Sequence, residues 1–174
     1  MGKSGAVFNT EKLNWLNQQH LRLKLNSALA DLVEPLLAGA GFGSIDRPYL
    51  ERAVGLMKER VTTLRDFVDF GGYLFAEPSA FDDKGIQKHW SEGTPDSLAA
   101  LADRLDTLAT FDHRSIEGAL RALAEERNLP ASTLIHPTRL ALSGKVVGPG
   151  LFELMELLGK ETVVRRLRSA PRGR

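Results

Sequence analysis

The sequence predicts an all-α protein, and three observations support that prediction. The 174 residues are 43% hydrophobic and 26% charged, which is typical of a folded globular chain long enough to bury a core. Apolar residues recur at steps of three and four along several stretches, which is the period of one helix face. No stretch alternates apolar and polar residues as a half-buried strand does. The predicted class is therefore helix packed on helix.

The first two helices are marked by their ends. We expect the first to begin near Asn9 or Thr10 and to anchor Trp15 in the core. The second begins near Asn26 and ends at a Gly-Ala-Gly stretch. Pro35 lies inside it and should kink or divide it, because proline removes a backbone donor and its ring clashes with the preceding turn.

The most regular pattern predicts one long helix over residues 50–68. Its apolar residues follow at steps of four, three, four, three and four: Leu50, Val54, Met57, Val61, Leu64 and Val68. Arg60 falls at the edge of that stripe, about 80° from its centre, where an arginine can rest its stem on the core and present its charge to a partner. The alternative is that Arg60 only reaches water or pairs with Glu51 or Glu59.

A boundary is expected where two glycines end that helix, followed by a stretch rich in glycine, proline and short polar turns. We place the first domain at residues 1–72 and the second at 73–174. Beyond the boundary, Thr94 is expected to cap a helix of about four turns and Asp112 to cap the next. Further helices are expected over 131–143, interrupted or kinked by Pro137, over 151–158, and from Lys160 onward.

Residues 139–152 (RLALSGKVVGPGLF) combine the features of a binding site. Arg139 supplies a planar fork of donors, and Phe152 supplies a stacking face. The glycines around Pro149 permit a sharp turn, and the first amides of the helix from Gly150 have no partner within that helix. A flat, hydrogen-bonding ligand such as an unstacked nucleotide base would suit these groups. The alternative is an ordinary turn between helices, with Leu151 and Phe152 in the core.

Charge is unevenly distributed along the chain. Residues 129–174 hold eight Lys or Arg against three acids, whereas the rest of the chain carries a net −4. A basic C-terminal end indicates a polyanionic partner, although a solvated helix face would give the same count.

Several function classes find little support. The absence of cysteine excludes disulfides and thiolate chemistry and fits a cytoplasmic location, and no apolar run is long enough to span a membrane. The four histidines are scattered, so no metal site is predicted. A triad of Ser143, His136 and Asp112 lacks a nucleophile elbow. The GKET sequence at 159–162 follows an apolar helix rather than a strand and a glycine-rich loop, so it is not a phosphate loop.

Five blocks in order resemble the C-terminal half of bacterial glutamyl-tRNA synthetases, which are class I aminoacyl-tRNA synthetases. They are 12–17 (KLNWLN), 56–64 (LMKERVTTL), 136–144 (HPTRLALSG), 148–152 (GPGLF) and 158–161 (LGKE), and the likeness covers nearly the whole chain. It implies two helical subdomains that form an anticodon-binding module of the α-helical cage type. In that family the module is joined to a Rossmann-type catalytic domain, whose ATP-binding signatures are absent here.

The resemblance implies a monomeric module that binds the anticodon loop of glutamate tRNA and works in cis with the catalytic domain of the same synthetase. It implies no cofactor in this chain, whereas the full-length enzyme would use ATP and Mg²⁺. The chain alone is predicted to be non-catalytic. The alternative from another class is a helical protein-interaction or scaffold domain that no longer binds tRNA.

The resemblance also assigns site residues. Arg60 matches the arginine that reads the third anticodon base, where glutamate tRNA has C and glutamine tRNA has G. Arg139 matches the arginine beside the middle and first bases. The turn that contacts the first base is matched by Pro149, Gly150, Leu151 and Phe152. Gly148 departs from family members with a hydroxyl residue there. The basic tail and exposed lysines are expected to neutralise the phosphates.

Overall fold

The computed structural model describes residues 9–171, and these residues form ten α-helices and one short 3-10 helix with no β-strand among them. The all-α prediction is confirmed. The chain divides into two compact units, an N-terminal unit that ends at Phe70 and a C-terminal unit that begins at Gly71. No helix within the described part is long and apolar enough to cross a membrane.

Four helices lie in the N-terminal unit: α1 (Thr10–Leu23), α2 (Asn26–Gly39), α3 (Arg47–Met57) and α4 (Asp66–Asp69). The C-terminal unit begins with the 3-10 helix (Gly72–Leu74) and continues with α5 (Asp83–His89), α6 (Thr94–Asp106), α7 (His113–Glu126), α8 (Ser132–Ser143), α9 (Leu151–Leu158) and α10 (Lys160–Arg168).

The N-terminal unit is built on the packing of α2 against α3. Its buried side chains include Leu29, Val33, Leu37, Leu50 and Val54. Arg47 ties the two helices together at the surface, because its guanidinium contacts Asp31 at 2.7 Å, Glu51 at 2.9 Å and the Ser27 carbonyl at 2.7 Å. Helix α2 is not divided at Pro35, which is exposed. At an exposed position water can hydrogen-bond the carbonyl that the proline leaves unpaired.

Helix α1 begins as expected but does not bury its tryptophan. Asn9 accepts a hydrogen bond from the Lys12 amide at 3.0 Å and caps the helix. Leu21 is the buried residue of α1, whereas Trp15 is 59% exposed. At 100° per residue, Trp15 lies about 120° around the helix from Leu21, so it faces away from the packed side. The prediction that Trp15 is core is wrong for this structure.

The long helix predicted over residues 50–68 is also wrong. Helix α3 ends at Met57, and a turn leads to the short α4. The Asp66 carboxylate accepts hydrogen bonds from the Thr62 amide at 2.8 Å, the Thr62 hydroxyl at 2.9 Å and the Thr63 amide at 2.9 Å. Burial alone would raise the pKa of Asp66, but these bonds outweigh it and hold the pKa below its usual value.

Side-chain hydrogen bonds to the backbone compete with helix formation, and β-branched residues favour helices weakly. Between residues 61 and 66, Val61, Thr62 and Thr63 are β-branched, and the Asp66 side chain hydrogen-bonds the backbone. The apolar spacing was still informative about burial, because Val61 and Val68 are 1% and 9% exposed. What it could not specify is that the buried positions are reached by a turn rather than by a continuous helix.

The C-terminal unit packs α6, α7, α8, α9 and α10 around a core that includes Leu98, Leu101, Ile116, Leu140 and Leu154. Asp112 caps α7 as predicted, because its carboxylate accepts from the Ser115 amide at 2.8 Å. Thr94 does not cap α6. It is the first helical residue, after the cap Gly93, and its hydroxyl accepts from the Ser91 amide at 2.9 Å. Helix α8 runs unbroken through Pro137.

Candidate nucleic-acid interface

The predicted binding segment, residues 139–152, includes the last turn of α8, which ends at Ser143 and is capped by Gly144. This residue has φ of 71°, in the left-handed region that favours glycine. A Cβ at Gly144 would overlap the Ala80 carbonyl oxygen, and the Gly144 carbonyl accepts from the Asp82 amide at 2.8 Å. The end of α8 is therefore fixed against the segment that precedes α5. A side chain at Gly144 would require either the end of α8 or the segment around Ala80 to move.

The Ser143 side chain hydrogen-bonds the backbone on both sides of the first part of the turn. Its hydroxyl donates to the Arg139 carbonyl at 2.7 Å and accepts from the Lys145 amide at 3.1 Å. The side chain is 4% exposed. These bonds make Ser143 a structural residue, which agrees with the sequence argument against a nucleophilic triad.

Arg139 is held on the second part of the turn. Its Nη1 donates to the Pro149 carbonyl at 2.7 Å, a bond that joins the last turns of α8 to the residue before the cap of α9. A Cβ at Gly148 would lie 3.2 Å from Nη1 and 3.4 Å from the Tyr73 hydroxyl, which places Arg139, Gly148 and Tyr73 side by side. The guanidinium is half-buried and oriented, so it could present its plane to a flat ligand. Tyr73 was not predicted from the sequence.

The start of α9 is a partly open helix end. Gly150 is the exposed cap, and its carbonyl accepts the Leu154 amide at 2.9 Å. The Glu153 carboxylate lies over Gly150, at the position that a Cβ on this glycine would occupy. A glutamate at the third helical position commonly folds back in this way. The carboxylate opposes a second anion at this helix end, so a neutral base suits the site better than a phosphate.

The two apolar residues that follow differ in exposure. Leu151 is 5% exposed and lies in the core, whereas Phe152 is half-buried and retains accessible surface. Any contact of Leu151 with a ligand must therefore be made by its backbone. The alternative that both residues belong to the core is right for the Leu151 side chain. The Phe152 ring has accessible surface and could stack on a ligand.

Arg60 belongs to the other unit. It lies in the exposed turn after α3, where its amide donates to the Met57 carbonyl at 2.8 Å. The prediction of Arg60 at the edge of a helical stripe is therefore wrong. The other five predicted site residues lie together in the C-terminal unit, on α8 and the turn into α9.

The basic C-terminal helix is largely used within the protein. Arg166 is 4% exposed and donates to the carbonyls of Tyr73 at 2.9 Å, Leu142 at 2.7 Å and Ala76 at 2.8 Å. It cannot neutralise a phosphate without leaving these partners. The expectation that the whole basic tail contacts phosphates is wrong for Arg166, and Arg172 and Arg174 lie outside the described residues.

The other cations of α10 also have partners. Lys160 donates to the Asp106 and Leu108 carbonyls at 3.0 and 2.5 Å. Arg168 pairs with Asp103 at 2.9 Å and Asp106 at 3.2 Å, and the Asp103 hydrogen bond is the main cause that raises the pKa of Arg168.

Arg165 pairs with Glu77 at 2.6 Å. Partial burial would raise the pKa of Glu77, but Arg165 and Arg166 outweigh it and hold the pKa below its usual value. No group of three or more His, Asp or Glu side chains within residues 9–171 could hold a metal ion.

The sequence profile described as an anticodon-binding domain matches residues 28–171 of the chain. The glutamate–tRNA ligase of Chloroherpeton thalassium is 42% identical over 179 residues, covering 98% of this chain and 36% of that protein. The glutamate–tRNA ligase of Moorella thermoacetica is 38% identical over 178 residues, covering 99% of this chain and 36% of that protein. The chain thus spans about a third of the length of these relatives.

Solved structures of glutamate–tRNA ligases are also similar to this chain. The glutamate–tRNA ligase of Elizabethkingia meningosepticum, solved in complex with its amino acid, superposes with a TM-score of 0.85 at 33% identity and covers 97% of this chain and 33% of that one. Glutamate–tRNA synthetase from Elizabethkingia anophelis has a TM-score of 0.78 at 31% identity and covers 93% of this chain and 31% of that one.

Proposed function

The chain belongs to the anticodon-binding domain family, and on that premise we propose that it is the tRNA-reading part of a cytoplasmic glutamate–tRNA ligase. Its ligand is the anticodon loop of glutamate tRNA, and it works in cis with a catalytic domain that supplies the ATP, Mg²⁺ and glutamate chemistry. Residues 1–72 and 73–174 act as two anticodon-binding subdomains of one monomer. The chain by itself binds tRNA and does not charge it.

The observation that best supports this proposal is the bond from Arg139 to the Pro149 carbonyl, at 2.7 Å. It orients a guanidinium plane beside the turn and within the same unit as the accessible ring of Phe152. Such a pair recognises an unstacked base by hydrogen bonding and stacking. We assign the middle and first anticodon bases to Arg139, and the first base also to the backbone of Pro149, Gly150 and Leu151 and to the Phe152 ring.

Arg60 is proposed to read the third base and to prefer C, which distinguishes glutamate tRNA from glutamine tRNA. Its exposure in the turn after α3 makes the guanidinium accessible. A good base contact by an arginine contributes about 1 to 3 kcal/mol of discrimination. Arg60→Gln should therefore reduce the preference for C over G by about 5- to 150-fold.

The experiment compares two labelled anticodon stem-loops, identical except for C or G at the third anticodon base, by equilibrium fluorescence anisotropy. Wild-type chain should bind the C form more tightly, and Arg60→Gln should bring the two affinities together. Arg52→Gln, which changes an exposed arginine on α3, is the matched control and should keep the preference. Equal affinity of the wild-type chain for both stem-loops contradicts the role of Arg60.

A scaffold that has lost its RNA ligand makes a different prediction for the same measurement. Stem-loop binding would then be weak, would not depend on the salt concentration, and would be unaffected by Arg139→Ala or Phe152→Ala. A tRNA-reading module should lose affinity in both variants and at higher salt.

A further inference from the structure

Two histidines stack near Arg139, and neither histidine is used by the proposed anticodon contacts. The His89 ring, at the end of α5, and the His136 ring, on α8, have centroids 4.2 Å apart and planes inclined by 20°. Both side chains are half-buried. His136 precedes Arg139 by three positions on α8, so the two project from neighbouring points of one helix face.

The charged groups that shift the pKa of His136 all act in one direction. Burial lowers the pKa of His136, and His89, Arg139 and Lys88 lower it further. Every charged group that acts on His136 in this way is therefore cationic or becomes so on protonation. We call these four residues, Lys88, His89, His136 and Arg139, the histidine cluster.

The acids of α5 lie at its other end. Asp83 and Lys84 are exposed in its first turn, and the Asp82 carboxylate accepts from the Gly85 amide at 2.6 Å and caps the helix. The two histidines therefore lie near the opposite end of α5 from these carboxylates.

Helices α6, α7 and α10 also pack on α8, and the ion pairs described for them join residues other than His89 and His136. Arg166 of α10 reaches the Leu142 carbonyl, near the C-terminal end of α8 and away from His136. The charged pairs of α6, α7 and α10 include Arg104–Glu126, His113–Glu156, Glu117–Arg121, Arg165–Glu77, Arg166–Glu77, Arg168–Asp103 and Arg168–Asp106.

We propose that the histidine cluster binds a backbone phosphate of the anticodon loop and takes up a proton as it does so. This inference rests on the proposed function and adds a contact to it. A phosphate diester stays negative over the whole working pH range, so it can compensate the cluster wherever the imidazoles titrate. Histidine changes charge near neutral pH, and each protonated ring offers two N–H donors to phosphate oxygens.

The sign of the pH effect follows from linkage. Without RNA, burial and the neighbouring cations disfavour the protonated ring of His136. A bound phosphate favours that ring and raises its pKa. Between the lower pKa of the free chain and the higher pKa of the complex, binding takes up a proton, so affinity rises as the pH falls through this window. One linked proton allows at most about a tenfold change in affinity per pH unit.

The test measures binding of the anticodon stem-loop with C at the third base, by anisotropy at pH 8.0 to 5.5 and constant ionic strength. We expect the wild-type dissociation constant to fall by about tenfold over this range. His136→Gln and His89→Asn should lose most of that gain. His20→Gln, at an exposed position of α1, is the matched control and should retain it.

A second measurement needs no variant. The titration of the His136 ring proton, followed by NMR in the wild-type chain, should move to a higher midpoint when the stem-loop is bound. An unmoved midpoint, or the same pH dependence in wild-type and His136→Gln chains, overturns the proton-coupled site and leaves the anticodon-binding proposal standing. Absence of stem-loop binding at every pH would instead overturn both.

Discussion

Two cation-rich regions of the C-terminal unit use their charges in opposite ways. Helix α10 directs Arg166 into the core and pairs Arg165 and Arg168 with carboxylates. In the histidine cluster, by contrast, His89, Arg139 and Lys88 lie close enough to His136 to lower its pKa. The difference shows that the count of basic residues in a segment does not locate a polyanion site. What matters is the role that each cation already has in the fold: on α10, Arg166 hydrogen-bonds backbone carbonyls and Arg165 and Arg168 are paired with carboxylates.

The largest expected effect comes from removing the buried arginine of α10. Arg166→Met should lower the free energy of unfolding by about 3 to 5 kcal/mol, because it leaves the carbonyls of Tyr73, Ala76 and Leu142 without their donor. Urea unfolding followed by circular dichroism measures this loss.

Arg165→Gln is the control for that measurement. Arg165 and Glu77 are 54% and 52% exposed, so their ion pair contributes at most about 1 kcal/mol. A similar loss in both variants would contradict the distinction between a buried and a solvated arginine on this helix.

The next effect concerns binding rather than stability. Arg139→Ala should weaken stem-loop binding by about 5- to 150-fold, which corresponds to the 1 to 3 kcal/mol of a good arginine–base contact. It removes the bond to the Pro149 carbonyl, and the loss of such a bond costs about 1 kcal/mol, so the free energy of unfolding should fall less than in Arg166→Met. Anisotropy and urea unfolding of the same preparation separate the two effects. A large loss of stability with little loss of affinity would make Arg139 a structural residue like Arg166.

Much of the fold follows from local signals in the sequence. Asn9 and Asp112 cap their helices as expected, and glycines end α8 and α9. Such signals depend on a few neighbouring residues, so the sequence carries them directly. The position of Arg139 near the turn was likewise predictable, because α8 and the turn are close in the chain.

Other features depend on contacts that spacing does not reveal. The apolar period continued past Met57, but hydrogen bonds from Thr62 and Thr63 to Asp66 replace the helix there. Trp15 was expected in the core because it is large and apolar, yet it lies on the exposed side of α1. The partner of Arg166 at Tyr73 is distant in sequence, and no local pattern predicts such a pairing.

A smaller effect is expected one position before Arg139. The Thr138 side chain is fully buried, and its hydroxyl has no hydrogen-bond partner. Thr138→Val replaces that hydroxyl with a methyl group of similar size, so it should raise the free energy of unfolding by about 1 kcal/mol. Stem-loop affinity should stay the same, because the altered atom faces the core. Thr138→Ser keeps the unpaired hydroxyl and removes a methyl, so it should destabilise the chain instead. A less stable Thr138→Val chain would indicate that the hydroxyl has a partner after all.

The smallest expected effect tests the comparison of the two regions directly. If Lys88 acts on a bound phosphate, Lys88→Gln should reduce the slope of log affinity against log salt concentration by about 0.7, the value for one contact to a single strand. Arg168→Gln removes a cation that Asp103 and Asp106 already neutralise, so it should leave the slope unchanged. Both variants lose one positive charge, so a general effect of net charge would alter the two slopes equally. An equal reduction in the two variants would therefore contradict the comparison of the two regions, and an unchanged slope in both would show that Lys88 makes no phosphate contact. A reduced slope in Lys88→Gln alone would show that the accessible cations, rather than the more numerous paired ones, make the phosphate contacts.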